Sequence, residues 1–179
     1  MLNLEKQNYN VVASEKIKIG RFEIVHDTIE QDGKEYPYSY VKMKRGVGIL
    51  GMVDGMIILL KQYRYIWDNW FWEIPGGMVD DDETPEEAAI RELEEETGFC
   101  VKSIKSLGTC YPSIGSTTEL QYLYVAECEN IGKQNLDSLE RINVSLVSVK
   151  EFELMIEENE FSHGMGLSAW ARYKNKLKK

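Results

Sequence analysis

The chain has 179 residues, of which 43% are hydrophobic, so it is long and apolar enough to form one ordinary domain with a buried core. Its net charge of -9 disfavours nonspecific binding to nucleic acid, because a phosphate backbone requires a basic protein surface. The longest apolar run, residues 56–60, is too short to cross a bilayer, and residues 1–8 lack the basic and apolar regions of a secretory signal.

The three cysteines, Cys100, Cys110 and Cys128, are odd in number and lack a paired metal-ligand spacing. This pattern disfavours a disulfide framework and a zinc site, so we expect packing residues in a cytoplasmic protein. No repeat or linker divides the sequence, and we expect one compact unit with no membrane association.

The first elements in chain order are strands. Residues 22–25 and 38–41 are rich in β-branched and aromatic side chains, and the turn signal at 31–34 separates them. We therefore expect residues 1–45 to form an N-terminal β-rich extension. The main domain, residues 46–179, then begins with buried strands at 47–50 and 56–63, joined by the turn Asp54-Gly55.

Further strands and two helices follow an acidic segment. Residues 101–109, 120–126 and 142–149 indicate strands, whereas 150–158 and 167–176 indicate helices. The basic residues at the end of the last helix suit the helix dipole. Because strands outnumber helices and interleave with them, the pattern predicts an α/β (α+β) layer fold with a mixed sheet.

A helix within the acidic segment has clear start and stop signals. Thr84 can cap its N-terminus, Pro85 suits the first helical position, and Glu87 completes a capping box. Gly98 follows as a natural stop. We therefore expect a helix that begins after Thr84 and ends before Gly98.

This helix carries six glutamates and one arginine. Glu92, Glu95 and Glu96 are three or four residues apart and project toward one side, whereas Ala89 and Leu93 face a core. Clustered carboxylate oxygens are hard ligands that favour Mg2+ or Mn2+ over zinc. The charge run taken alone also fits a solvated acidic helix face.

The fixed spacing of the segment decides between these alternatives. The segment resembles the Nudix box at every defined position: Gly77, five residues, Glu83, seven residues, Arg91-Glu92-Leu93, one residue, Glu95-Glu96, one residue, Gly98-Phe99. The resemblance implies a Nudix-type α/β/α sandwich with a mixed β-sheet. In that fold, a loop, a helix and a second loop hold divalent metal against a pyrophosphate.

The box suggests a role for each of its residues. Glu92, Glu95 and Glu96 are the expected metal ligands, and the resemblance adds the backbone carbonyl of Gly76. Arg91 is expected to orient Glu83 and Glu95 rather than to contact substrate. Gly77 is expected to let the backbone turn tightly, and Glu94, whose position the box leaves unspecified, is expected to face solvent.

Segments upstream of the box resemble ADP-ribose and related nucleotide-sugar pyrophosphatases. These are Gln62-Tyr63-Arg64 and the run from Trp72 to Gly77. The resemblance implies that Arg64 contacts a substrate phosphate and that Glu73 belongs to a neighbouring part of the site. A strand-end salt bridge is the alternative for Arg64.

The loop from Tyr111 to Glu119 resembles the loop of the same branch, although Ile114 stands where the branch has proline. The resemblance implies that Glu119 is linked to the catalytic water or to a metal. A carboxylate beside metal-bound water suits a general base. The alternatives are Glu95 as the base and Glu119 as an ordinary polar loop residue.

Other aromatic and histidine residues carry weaker signals. Trp67, Trp70 and Phe71 form a group that could stack on adenine or pack in the core, and Trp72 is expected in the core. The two histidines, His26 and His163, match no catalytic spacing, so we expect structural or surface roles.

The resemblance therefore implies magnesium-dependent hydrolysis of ADP-ribose, or of a related nucleoside diphosphate sugar, to AMP and ribose 5-phosphate. The alternatives are a GDP-mannose or other nucleotide-sugar pyrophosphatase, a nucleoside triphosphate hydrolase, and a non-catalytic nucleotide-binding module. In this branch an N-terminal β piece often exchanges between two subunits, so we expect a homodimer.

Overall fold

The computed structural model describes residues 6–130 and 132–177. Its β-strands, in chain order, are β1 (Asn10–Ile19), β2 (Phe22–Gln31), β3 (Lys34–Lys42), β4 (Gly46–Val53), β5 (Met56–Arg64), β6 (Asn69–Glu73), β7 (Phe99–Cys110), β8 (Gln121–Asn130) and β9 (Ile142–Ser148). The α-helices are α1 (Pro85–Thr97), α2 (Val149–Glu157) and α3 (Gly164–Leu177), and a short 3-10 helix spans Tyr65–Trp67.

The chain divides into two compact units. The N-terminal unit consists of the described residues up to Lys44 together with Ser113–Glu119. Strands β1, β2 and β3 form its antiparallel sheet in that order. The loop at Ser113–Glu119 is tied to β3, because the N–H of Val41 donates to Ser116 O and the N–H of Thr118 donates to Val41 O, each at 3.0 Å.

Strand β1 was not predicted as a separate strand, because strict alternation of polar and apolar residues is confined to residues 16–19. All ten of its residues are exposed, so neither face of the strand needs an apolar pattern. Strand β6 was also missed, since five residues of mostly aromatic sequence do not distinguish a short strand from packed core.

The main unit contains a six-stranded sheet in which β6, β5, β4, β8 and β7 are neighbours in that order and β9 also pairs with β5. Strands β4 and β8 are parallel, and the other pairs are antiparallel. The predicted mixed sheet is therefore confirmed.

Helices cover both faces of this sheet. On one face, Ala88, Ala89 and Leu93 of α1 pack against Ile49 and Ile58. On the other face, side chains of α2 and α3, including Phe152 and Trp170, pack against a different set of strand residues, among them Leu50, Leu59 and Leu123. Consecutive residues of β4 thus enter opposite cores, as strand geometry requires. This arrangement confirms the predicted α/β/α sandwich.

The two helices after β9 begin slightly earlier than the sequence patterns indicated. Ser148 caps α2 by accepting a hydrogen bond from the N–H of Glu151, and Lys174 and Lys176 lie in the last turn of α3. None of the helices in the described ranges has the length and apolar character needed to span a membrane.

Candidate active site

Helix α1 begins and ends where its local signals predicted. The Thr84 hydroxyl accepts a hydrogen bond from the N–H of Glu87, and the Glu87 carboxylate accepts one from the N–H of Thr84. Gly98 ends the helix in the left-handed conformation, with φ of 75°, and donates its N–H to the carbonyl of Glu94. The buried alanines and Leu93 fix the helix on the sheet, so its acidic side chains project from a rigid element.

Arg91 organises the carboxylates on the outer side of α1. Its guanidinium donates to Glu83 at 2.6 and 3.1 Å, to Glu92 at 2.9 Å and to Glu95 at 3.1 Å. A further hydrogen bond reaches the backbone carbonyl of Met78 at 3.1 Å. The hydrogen bonds with Arg91 lower the pKa of Glu83 and those with Glu83 raise the pKa of Arg91, so both groups stay charged.

Glu96 occupies a different environment on the same helix. Only 3% of the residue is exposed, and burial raises the pKa of Glu96 to about 8. The N–H of Gly76 donates to its Oε2 at 2.8 Å, which opposes this rise. Burial also raises the pKa of Glu92, against the effect of Arg91. Two neighbouring carboxylates therefore lie where their negative charge is costly.

The two glycines before the box create space for these groups. Gly77 lies outside any turn and neither Gly76 nor Gly77 has a positive φ, so the predicted tight turn at Gly77 is wrong. A Cβ on Gly77 would lie 2.3 Å from the carboxylate of Glu92, and one on Gly76 would lie 2.2 Å from Val47 O. Glycine is required at 77 because the Glu92 carboxylate approaches closely, and at 76 because strand β4 does. Backbone conformation does not require it.

The backbone carbonyls around these glycines point in alternating directions. The carbonyls of Pro75 and Gly77 accept hydrogen bonds from Ile49 and Val47 of β4, each at 2.9 Å. No residue in the described part of the chain donates to the carbonyl of Gly76. Along an extended segment, this carbonyl faces away from β4 and is open to a ligand.

The donor set fits a hard divalent cation. In the described ranges, no three acidic, histidine or cysteine side chains converge into a preformed metal cage. Arg91 holds one oxygen of Glu92 and one of Glu95. Glu92 Oε2 and Glu96 Oε1 have no hydrogen-bond donor among the described side chains. With the Gly76 carbonyl they supply oxygen ligands of the kind that Mg2+ and Mn2+ prefer.

Glu94 was expected to face solvent, and that expectation is wrong. The residue is half-buried, and its carboxylate accepts a hydrogen bond from the N–H of Val101 at 3.1 Å. Glu94 therefore joins the end of α1 to the start of β7.

Glu140 is a residue that the sequence analysis missed. The loop before β9 is docked on α1, because Asn135 donates its N–H to Glu95 O at 2.8 Å and Gln134 Nε2 donates to Glu96 O at 2.7 Å. The negative charge of Glu140 contributes to the raised pKa of both Glu92 and Glu96. The Glu140 carboxylate accepts a hydrogen bond from the N–H of Asp137 at 2.9 Å, and no sequence spacing relative to the box predicts its electrostatic effect on the pair.

The predicted base Glu119 belongs to the N-terminal unit. Its N–H donates to Thr117 Oγ1 at 3.3 Å, so it closes the loop that is tied to β3. Its role in catalysis stays a prediction.

Arg64 and Glu73 form the strand-end ion pair that the sequence analysis held as one alternative. Arg64 Nε and Nη2 donate to the two oxygens of Glu73 at 2.7 and 2.5 Å. Glu73 is 6% exposed, whereas 44% of the Arg64 side chain is exposed. The hydrogen bond with Glu73 raises the pKa of Arg64, and the negative charges of Glu96 and Glu140 add smaller contributions.

His163 also lies beside this ion pair. Its Nδ1 accepts a hydrogen bond from the N–H of Ile74 at 3.2 Å, and its Nε2 lies 3.7 Å from Glu73 Oε2. From its sequence context, His163 was expected to be only a structural or surface residue. It lies 90 positions beyond Glu73 in the chain, and only the docking of α3 on the sheet brings them together.

A pocket of about 390 Å3 opens next to these groups. Arg64, Glu73 and His163 contribute polar groups to its wall, and Trp67 and Phe71 contribute aromatic rings. Trp72 also borders it, packs against the core as expected, and lies under the Lys61 ammonium at 4.6 Å.

The fold and the site define an α/β/α protein in which one capped helix presents buried carboxylates beside a glycine pair. The family model described as NUDIX domain matches residues 42–165. The ADP-ribose pyrophosphatase of Bacillus subtilis (strain 168) is 32% identical over 165 residues, which cover 89% of this chain and 88% of that protein.

A further relative and a solved structure also resemble this chain. The GDP-mannose pyrophosphatase of Enterobacter sp. (strain 638) is 28% identical over 157 residues, covering 80% of this chain and 82% of the relative. A solved structure described as an ADP compounds hydrolase superposes with a TM-score of 0.83 at 21% identity, over 98% of this chain and 97% of that one. The chain belongs to the Nudix family, and it is a Nudix pyrophosphohydrolase related to the ADP-ribose and nucleotide-sugar pyrophosphatases.

Proposed function

We propose that the chain hydrolyses the pyrophosphate bond of ADP-ribose to AMP and ribose 5-phosphate, with Mg2+ as cofactor and Mn2+ as a substitute. The observation that carries the proposal is the buried carboxylate of Glu96 beside Glu92 and the open carbonyl of Gly76. A cation would offset the cost of burying these charges. The similarity to an ADP-ribose pyrophosphatase over most of the chain supports the choice of substrate.

Glu92, Glu95 and Glu96 would hold the metal together with the carbonyl of Gly76. A bound divalent cation neutralises charge on the pyrophosphate oxygens and lowers the pKa of coordinated water. Glu95, with 38% of its side chain exposed, is the most accessible of the three. Arg91 would position Glu92 and Glu95 through its hydrogen bonds, and Glu83 would hold Arg91 in place.

Arg64 would contact a phosphate of the substrate. Glu73 accepts hydrogen bonds from Nε and Nη2, which fixes the guanidinium plane, and Nη1 makes no contact with Glu73. Glu73 would then act through Arg64, because its own carboxylate is almost fully buried.

Three carboxylates are candidates for the general base that activates water. Glu119 is proposed from its place at the end of the branch-specific loop, and Glu95 from its exposure on α1. Glu140 is included because its negative charge adds to the effect of burial in raising the pKa of Glu92 and Glu96. A base adjoining the metal ligands could accept a proton from water held there.

Replacement of each carboxylate by glutamine would distinguish these candidates. Loss of the base should lower kcat by about 10²-fold or more with little change in KM. We expect this effect for Glu119→Gln if the resemblance of the loop extends to its function. If Glu119→Gln keeps the wild-type kcat and either Glu140→Gln or Glu95→Gln lowers it, the general base is the residue whose substitution lowers kcat.

A substrate panel tests the proposed activity. ADP-ribose, ADP-glucose, GDP-mannose, a diadenosine compound and a nucleoside triphosphate should be compared at millimolar Mg2+, with and without EDTA. We expect the highest kcat/KM for ADP-ribose, no turnover with chelator, and heavy oxygen from labelled water in one product only. Undiminished turnover in EDTA would contradict the proposed metal requirement. A preference for GDP-mannose would favour GDP-mannose pyrophosphatase activity.

We also propose that the protein is a homodimer that uses its N-terminal unit. Strand β1 exposes Val11, Val12, Ile17 and Ile19, which a partner subunit could cover. Light scattering after size exclusion should give twice the chain mass, and removal of residues 1–44 should give a monomer. The cytoplasmic location and the absence of nucleic-acid partners stay predictions.

A further inference from the structure

The pocket beside Trp67 contains a polar wall and an aromatic wall, both within the main unit. Trp67 is 69% exposed and its ring contacts that of Phe71 edge to face, with centroids 6.4 Å apart. An exposed tryptophan held against a second ring offers a flat apolar surface to a ligand. The volume of about 390 Å3 lies in the range of small-molecule sites.

The hydrogen bond from Ile74 defines the tautomer of His163. Because Nδ1 accepts the N–H of Ile74, Nδ1 is unprotonated and the ring proton is on Nε2. Burial lowers the pKa of His163, so the ring is neutral near pH 7. Its nearest acidic atom, Glu73 Oε2, lies 3.7 Å from Nε2 and already accepts from Arg64. The Nε2–H group is therefore a neutral donor at the pocket wall.

The charge balance of this wall favours an uncharged ligand group. The bidentate pairing of Arg64 with Glu73 leaves no net charge, and His163 adds none. The Nε2 donor of His163, in a pocket that is also lined by aromatic rings, suits a ring with hydroxyl groups on its edge and C–H groups on its face. That description fits a sugar.

The pocket also lies next to the carboxylate cluster. Arg64 lines the pocket, and the charges of Glu96 and Glu140 contribute to its raised pKa beside the larger effect of Glu73. Glu73 is separated from Gly76 only by Ile74 and Pro75. A sugar in the pocket can therefore be joined to a pyrophosphate at the cluster.

We propose that this pocket binds the sugar on the non-nucleotide side of the substrate pyrophosphate. His163 determines sugar specificity by donating a hydrogen bond from Nε2 to a sugar oxygen. Trp67 covers the apolar face of the sugar ring. The proposal rests on the proposed function, because it assumes a substrate with such a sugar. It adds a specificity-determining residue outside the box and outside the Arg64–Glu73 ion pair.

Two substitutions of His163 separate this role from a structural one. His163→Asn keeps an acceptor near Nδ1 for the N–H of Ile74 but removes the donor at Nε2. His163→Gln places a donor near Nε2 but loses the acceptor for Ile74. His26→Gln is the matched control, since His26 lies in the N-terminal unit and contacts Ser39.

Steady-state kinetics with ADP-ribose and ADP-glucose should be combined with binding of ribose 5-phosphate and AMP, followed by tryptophan fluorescence. We expect His163→Asn to raise KM for ADP-ribose and Kd for ribose 5-phosphate about tenfold, the scale of one lost hydrogen bond. AMP affinity and kcat should change little. His163→Gln should restore most of the sugar affinity while lowering the melting temperature, and Trp67→Ala should weaken sugar binding as well.

Equal losses for His163→Asn and His163→Gln, or a loss confined to AMP, would overturn the proposal and leave His163 as a structural residue. Binding of ribose 5-phosphate needs no turnover, so it separates this proposal from the proposed function. If the wild-type protein binds this sugar phosphate through His163 but does not hydrolyse ADP-ribose, only the proposed function fails. If it hydrolyses ADP-ribose with unchanged kinetics in all His163 variants, only this proposal fails.

Discussion

Replacement of Gly77 by alanine tests whether the glycine exists to make room for Glu92. The added Cβ would lie 2.3 Å from the Glu92 carboxylate, more than 1 Å inside an ordinary contact of about 3.4–4 Å. The obstructing atoms belong to the end of a flexible side chain, so the backbone can stay in place while the carboxylate moves away. We therefore expect a folded protein with a displaced metal ligand.

The expected loss of metal affinity follows from that displacement. Disturbance of the groups that orient metal ligands typically costs about 10–100-fold in affinity, and displacement of a ligand itself should reach the upper part of this range. Titration of Mn2+ followed by electron paramagnetic resonance, or calorimetry with Mg2+, measures it directly. Melting of the metal-free protein in EDTA should shift by only a few degrees.

Two further glycines provide the comparison. Gly76→Ala would bring its Cβ to 2.2 Å from a backbone oxygen of β4, which cannot rotate away. It should destabilise the fold by roughly 1–3 kcal/mol or more, the usual cost of overpacking. Gly115→Ala meets no atom within 4 Å and should be silent. Wild-type Mn2+ affinity in Gly77→Ala would refute the reasoning.

Three other predictions concern single side chains. Glu96→Gln should abolish most turnover yet raise the melting temperature in EDTA above pH 8, where the wild-type protein must bury an ionised carboxylate, whereas the exposed Glu86→Gln should change neither. Equal activities of the two variants would contradict the predicted ligand role. In Arg91→Lys, metal affinity should fall about 10–100-fold, because one ammonium group cannot hold three carboxylates in place. A wild-type metal affinity measured by calorimetry would argue against a positioning role for Arg91. Burial raises the pKa of Cys128 to about 11. The Cys128 thiol should therefore resist a disulfide reagent at pH 8 and react faster only as the pH approaches about 11. A Cys128→Ser variant should react with the reagent to the same extent as the wild-type protein at pH 8.

The box helix could be predicted from sequence because its determinants are local. Thr84, Glu87 and Gly98 define the helix ends through contacts within three or four residues, and the structure confirms each of them. The faces of the helix follow from its period, so burial of Leu93 was also predictable. The same reasoning failed for Gly77, because a steric requirement imposed by Glu92 is not visible in the conformational preferences of the glycine.

Residues brought in by tertiary contacts could not be found in this way. Glu140 reaches the carboxylate cluster through a loop whose hydrogen bonds to α1 involve a backbone group and one glutamine side chain. His163 depends on the position of the segment that enters α3. Neither residue lies in a periodic element or a recognisable spacing, so composition and pattern carry no information about its neighbours.

The acidic character of α1 also has a more specific meaning in the structure than in the sequence. A run of glutamates predicts like-charge repulsion along the whole helix. Three of its six carboxylates, however, have partners away from the buried pair, which are the N-terminal backbone of the helix for Glu87, the N–H of Val101 for Glu94, and Arg91 for Glu95. The remaining electrostatic cost is concentrated on Glu92 and Glu96, because they are the carboxylates of α1 whose pKa is raised by burial. A bound cation therefore needs to stabilise one buried pair rather than an acidic face, and the open carbonyl of Gly76 lies at that pair.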